Sequence, residues 1–113
     1  MQLDLSNNQL CGIDCAGRGT YTAEGITAIA NAMRVNGGLT SINLSNNQLC
    51  GLYWEGIVRG IYTAQGITAI ADALRVNGAL TRCDLYNSYM GEEEVALIRS
   101  AVQGKACFEL HGL

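Results

Sequence analysis

Five cysteines (Cys11, Cys15, Cys50, Cys83 and Cys107) and one histidine, His111, have the most direct claim to chemistry in this 113-residue chain. Cys11 and Cys15, with Cys50 to join them, invite a zinc site. Structural zinc takes four ligands, usually at tighter spacing, and the fourth would have to be Asp14 or come from another chain. Filling a small apolar slot is the simpler reading of Cys11 and Cys50. A Cys11–Cys50 disulfide stays geometrically open, because neighbouring parallel strands lie about 4.8 Å apart. A Cys–His or Ser–His pair would have to use His111, close to a chain end that seldom holds a base in fixed geometry. Glu92-Glu93-Glu94 reads as the first turn of a helix, where the dipole favours negative charge. Arg18-Gly19 and Arg59-Gly60 have neither the glycine spacing nor the lysine of a phosphate loop. The expectation is therefore no catalysis, no metal and no cofactor.

The elements that position these residues come from internal repeats. Residues 3–12 match 42–51 at a shift of 39, and residues 21–39 match 62–80 at a shift of 41. A third unit aligns Gln65–Ala73 with Glu93–Ala101 at a shift of 28. Each unit has two parts. Ile42 and Leu44 alternate with Ser41, Asn43 and Ser45, the period of a short strand with one buried face. Ile26, Ile29, Ala30 and Met33 fall on one helical stripe, which Ile67, Ile70, Ala71 and Leu74 repeat. Thr22 and Thr63 are the expected N-caps, and Asn36-Gly37 and Asn77-Gly78 the expected left-handed stops. One strand and one helix per unit implies parallel strands with returning helices.

The pattern Leu39-x-x-Ile42-x-Leu44-x-x-Asn47-x-Leu49 resembles the leucine-rich repeat. With Gly66-Ile-Thr-Ala-Ile-Ala-Asp-Ala-Leu74 and Asn77-Gly-Ala-Leu80, it is similar to the long repeats of ribonuclease inhibitor and NOD-like receptor proteins. The resemblance covers nearly the whole chain. It implies an α/β leucine-rich-repeat solenoid, a short horseshoe segment with strands on the concave face and helices on the convex face. Residues 1–113 form one domain, in repeats of approximately 1–38, 39–79 and 80–113, the last with a C-terminal cap. It also implies that Asn8 and Asn47 tie backbone groups of neighbouring turns, a role that Ser88 completes only in part. Cys83 takes the inward place of Ile42. Arg99 replaces Ala30 and Ala71 on a helix face expected to be wet, and Phe108-Glu-Leu110 reads as a last short strand. The missing lead-in to the first repeat suggests the C-terminal piece of a longer solenoid. Its open edge is expected to pair with a second copy or with upstream repeats.

Two units carry insertions of 11 and 13 residues between strand end and helix start. They share Cys-Gly-apolar, then Arg-Gly-x-Tyr-Thr-Ala, so Cys11 stacks over Cys50, Arg18 over Arg59 and Tyr21 over Tyr62. On the first reading the loops pack on one another, with arginine holding loop carbonyls and tyrosine covering a helix end. On the second they form a binding rim, with Tyr53, Trp54, Glu55, Arg18 and Arg59 as candidates, since Trp, Tyr and Arg dominate interface energetics. The outward strand positions give another candidate surface. They are Asp4, Ser6, Ser41, Asn43, Ser45, Arg82, Asp84 and Tyr86, then Glu109 and His111; Asp84 and Tyr86 are the candidates here.

Composition narrows the function classes. At 49% hydrophobic and 15% charged, the chain has enough apolar surface for a core and is not disordered. A net charge of −3 and a single lysine leave no basic block, which argues against nucleic acid. No apolar run reaches membrane-spanning length. An N-terminus without signal-peptide features and an odd number of cysteines imply reduced thiols in the cytoplasm or nucleus, with a mature secreted fragment as the open alternative. The expected function is non-enzymatic protein–protein interaction through the insertions and concave face. The alternative is a structural cap of a longer regulatory or GTPase-activating solenoid, a class that the resemblance includes.

Overall fold

Strand alternation places Leu3, Ile42, Cys83 and Leu110 on one register line. The computed structural model describes residues 1–113 and orders these strands as a parallel four-stranded sheet, β1-β2-β5-β6 once numbered in chain order. β1 is Gln2–Asp4, α1 Glu24–Val35, β2 Ser41–Asn43, β3 Leu52–Trp54 and β4 Val58–Gly60; α2 is Gln65–Val76, β5 Arg82–Asp84, α3 Glu92–Ala101 and β6 Glu109–His111. The helices pack α1 on α2 on α3. This mixed α/β arrangement fits a leucine-rich-repeat fold.

One core joins the helices to the sheet. Ile42, Leu44, Cys83 and Leu85 are buried against Ile26, Met33, Ile67, Ile70, Leu74 and Ile98. Each large apolar side chain taken out of water contributes about 1.5–3 kcal/mol. The α2 stripe is fully buried, whereas Ile29 of α1 is only partly so, because α1 has a helix on one side alone. Arg99 is exposed on α3, as its replacement of alanine requires.

Two expectations about helix ends are corrected. Ala23 and Ala64, not Thr22 and Thr63, hold the N-cap positions. The threonine hydroxyls accept from Glu24 and Gln65 N–H at 3.2 and 3.4 Å, one residue early for a cap. The stops are not left-handed: Asn36 and Asn77 are extended, with φ of −86° and −80°. A side chain replaces the left-handed turn. Asn77, 3% exposed, donates to the Met33 and Asn36 carbonyls and accepts from Ala79 and Leu80 N–H. Lys105, at the matching place of the third unit, donates to the Asn77 carbonyl at 2.9 Å. The last strand begins at Glu109 rather than Phe108.

At the strand ends Asn47 carries the load. Fully buried, it accepts from Asn8 N–H at 2.8 Å and Leu10 N–H at 3.3 Å. Its amide donates to the carbonyls of Leu5, Leu44 and Ser45. Asn8 reaches only its local Ser6 carbonyl. Ser88 bonds the Leu85 carbonyl within its own unit. Asn47 alone therefore spans two units from both ends of its amide.

The five thiols are free. Cys11, Cys50 and Cys83 are buried, Cys15 and Cys107 exposed. Burial raises Cys11, pushes Cys50 up to about 11 and Cys83 up to about 12.

Asn47→Ala is expected to cost about 2–3 kcal/mol, because it strands backbone groups of two units. Asn8→Ala is expected to stay within about 0.5 kcal/mol. Urea unfolding of both variants checks the contrast, and equal losses would remove Asn47 from its role. In native protein a disulfide reagent should label Cys15 and Cys107 at once and the other three roughly 100-fold or more slowly. Folding holds the buried thiols protonated, so above the ordinary thiol value near 9 the unfolded chain releases protons first. Unfolding free energy should therefore fall between about pH 9 and pH 12, which urea titrations across that range would show.

Candidate functional site

Each insertion folds back on itself as an antiparallel arm. In the second unit β3 pairs with β4, with Leu52 opposite Gly60, Tyr53 opposite Arg59 and Trp54 opposite Val58. The first unit has a shorter arm, closed by an Ile13–Gly19 bridge. The shared Cys-Gly step fixes the neck: Gly51 sits at φ +78°, and a Cβ there would lie 2.4 Å from the Ile61 carbonyl oxygen. In the first arm Asp14 organises the tip. It accepts from Ala16 and Arg18 N–H at 2.9 Å each and from Arg18 Nε at 2.7 Å. The Arg18 backbone and guanidinium hold its carboxyl below the usual range. In the second arm the matching pair is looser, with Arg59 3.9 Å from Glu55.

The tyrosines after the arms stitch one unit to the next. Tyr21 Oη donates to the Leu49 carbonyl at 2.6 Å, and Tyr62 Oη accepts from Gly91 N–H at 2.9 Å at the start of α3. Burial pushes the pKa of both phenols up and so keeps them protonated. Tyrosine thus does cover a helix start, that of the following unit. The arginines do not hold loop carbonyls: Arg18 and Arg59 face solvent beside carboxylates of their own arms.

Alternation separates the two aromatics of the second arm. A Cβ at Gly17 would lie 2.1 Å from the Tyr53 ring, so Tyr53 packs on the first arm through a place only glycine can fill. Trp54 and its cross-strand partner Val58 share the opposite face, 57% and 46% exposed. Ile57 and Ile61 are exposed too, Ile61 on the other side, where it lines a cleft with Tyr53, Gly17 and Tyr21.

The sheet face turned away from the helices is a separate surface. It forms a cleft of about 370 Å³ with Gln2, Asp4, Ser41, Asn43, Arg82 and Asp84 in its lining. Arg82 binds Asp84 through Nε at 3.1 Å, and Asp84 is only 8% exposed. Ser45 was expected to point outward into solvent, but it is buried and accepts from Tyr86 N–H. Tyr86 is exposed, its ring centroid 6.5 Å from that of His111. No three His, Cys, Asp or Glu side chains gather as metal ligands. Of the sequence candidates, the structure groups Trp54, Glu55 and Arg59 on one arm, turns Tyr53 toward the other, leaves Arg18 on the first arm, and places Asp84 and Tyr86 on the sheet side.

A third surface lies between arms and turns. Cys15, Asn46, Gln48, Trp54, Asn87 and Tyr89 line a cleft of about 280 Å³. Asn46, Gln48, Asn87 and Tyr89 all have φ between 51° and 59°. Sequence reasoning missed them, treating the Asn-Asn-Gln turn as scaffold. The available signal was its recurrence beside an insertion carrying Trp54.

The Leucine Rich Repeat family model matches residues 38–59. That span takes in β2, the Asn47 turn, all of β3 and part of β4. No curated protein matches the chain. Residues 38–59 thus carry a leucine-rich repeat, and the second arm begins inside it.

Proposed function

We propose that this chain is a non-enzymatic protein-interaction module, a short solenoid of ribonuclease-inhibitor-like repeats that binds a protein partner through its second arm. The leucine-rich repeat is commonly an interaction module, which supports the class. The observation that carries the surface is the apolar face of β3 and β4. Trp54 and Val58 are exposed on one face of a short arm, Ile57 is exposed in the turn that joins its strands, and Tyr53 packs that arm on the first. Exposed apolar clusters of this kind mark interaction sites. Glu55 and Arg59 supply polar groups on the same arm, Arg59 beside Tyr53 on its other face. Arg18, Asp84 and Tyr86 extend the same reading to the first arm and the sheet face.

A second reading rests on the open side of β1. Leu3, Leu5, Ile29, Ala32, Met33 and Leu39 line an apolar cleft of about 130 Å³ there, beside a strand whose outer edge is unpaired. Stacking of a further repeat, or of a second copy, on that face would make this unit a structural cap of a longer regulatory array.

Trp54→Ala should weaken capture of a protein partner about 10- to 100-fold and leave unfolding unchanged. Tyr53→Ala should instead lower stability, because its ring packs the arms together. Pull-down and urea unfolding of both variants check this, and an unchanged partner profile for Trp54→Ala would remove the arm as the site. Sedimentation at rising concentration tests the second reading: Leu3→Lys should abolish any self-association seen in the unaltered chain, and a monomer at every concentration would rule out pairing with a second copy.

A further inference from the structure

Asn36 and Asn77 are a matched pair at the ends of α1 and α2. Each stands in a Val-Asn-Gly step, and each is extended, with φ, ψ of −86°, 105° and −80°, 119°. Each is followed by a glycine at which a Cβ would meet nothing within 4 Å. No other asparagine of the chain precedes a glycine. The two differ in what the side chain holds. Asn77 is 3% exposed, and its carboxamide is fixed at both ends, Nδ2 by two carbonyls and Oδ1 by two N–H groups. Asn36 is exposed, and its carboxamide makes a single bond, Oδ1 accepting from Gly38 N–H at 2.8 Å. Its Nδ2 is held by nothing in the chain.

We propose that Asn36 is a site of self-modification, where the chain converts its own carboxamide to a carboxylate through a cyclic imide. The Gly37 backbone nitrogen gives its proton to solvent base and attacks Asn36 Cγ. The new N–Cγ bond closes the imide ring, the Cγ–Nδ2 bond breaks, and Nδ2 leaves as ammonia with a proton from water. Water then opens the ring at either carbonyl, which leaves aspartate or isoaspartate at position 36. One water enters and one ammonia leaves, with no oxidant or reductant. Glycine suits the attack, because no side chain shields its nitrogen and its backbone turns freely. Gly38 N–H points at the oxygen where negative charge gathers as the ring closes. Asn77 has the same local sequence and two such donors. Bringing its Cγ onto Gly78 N, however, breaks the bonds that hold Nδ2 in the seam between the helix ends. The product bears on the fold. Asn36 lines the apolar cleft beside β1, so a carboxylate arises on the face that the second reading gives to stacking. Its carbonyl also accepts from Asn77 Nδ2 at 3.0 Å, and the isoaspartate form takes that carbonyl out of the main chain.

The test is ageing of the full chain in warm, mildly alkaline buffer, with and without guanidinium chloride, followed by trypsin and mass spectrometry. Cleavage after Arg34 and Arg75 puts the two sites in separate peptides, each beginning Val-Asn-Gly. In the native chain Asn36 should convert about tenfold or more faster than Asn77, whose conversion waits for local opening. In guanidinium chloride the two should convert at similar rates. Both aspartate and isoaspartate should appear at position 36. Gly37→Ala should slow the conversion about tenfold or more by shielding the nitrogen, and should keep urea stability, because its Cβ has open space. Equal native rates at the two sites, or conversion of Asn36 only in guanidinium chloride, would overturn the proposal. So would aspartate alone, the mark of direct hydrolysis, or a Gly37→Ala chain that converts as fast as the unaltered one.

Discussion

Backbone polar groups at the end of each strand have to be satisfied where one repeat meets the next, and the Asn47 carboxamide is what satisfies them. The chain leaves its strand through left-handed residues, Asn46 and Gln48, flanking Asn47 itself. That path turns N–H and C=O groups inward, away from water, where unpaired they would be costly. Asn47 gives its oxygen to two N–H groups of the first unit and its nitrogen to carbonyls of both units. The side-chain amide thereby continues a ladder that three-residue strands are too short to complete. With the turns locked in register, Leu44 and Leu49 stay in the core and the arms leave at a fixed height.

The helix ends solve the same problem by the same means. Asn77 links the last turn of α1 to the turn after α2, and Lys105 extends the row by one unit. The apolar core thus lies between two polar seams, one at each end of the β-to-α layer. A lysine ammonium with its aliphatic stem can take the asparagine place because the third unit has a solvent-facing side, where the charge stays hydrated. The inter-repeat tyrosines add a third tie near the arms. Tyr21 and Tyr62 bond a carbonyl and an N–H of the following unit across a gap that the cysteines fill. Cys11 and Cys50 are scaffold for this reason: small, buried and held as thiols.

Much of the scaffold was legible in the sequence because it recurs. Periods of 39 and 41 against 28 located the strands, the helical stripes and the insertions, and the resemblance to leucine-rich repeats implied the Asn47 role. The stops were misread because Asn-Gly ordinarily signals a left-handed turn, whereas Asn77 here works through its side chain to a residue 44 positions earlier. No local pattern carries that contact. The N-caps were misplaced by one residue for a related reason: a threonine two before the first helical N–H bonds it without opening the helix. The site was less legible than the fold. Tyr53 and Trp54 are neighbours in sequence and read as one aromatic pair. Gln48 read as a turn residue, and nothing local in the sequence signals that its side chain is buried.

Strand alternation lets the packing of the loops and the proposed binding rim coexist, because the two readings apply to opposite faces of one ribbon. Tyr53 faces the first arm over Gly17, and its burial anchors the second arm. Trp54, one residue later, must then face away, joined by Val58 from the returning strand. Packing is therefore what makes exposure tolerable: a free two-stranded ribbon is marginal in water, and this one stands because one side is stacked on a neighbour. The first arm has no such second face to offer. Its tip is held by Asp14 and Arg18, charged groups content in water, and it carries no aromatic. Asymmetry between two otherwise repeated arms is thus concentrated in the one element that the scaffold does not need, and that is where recognition is best placed.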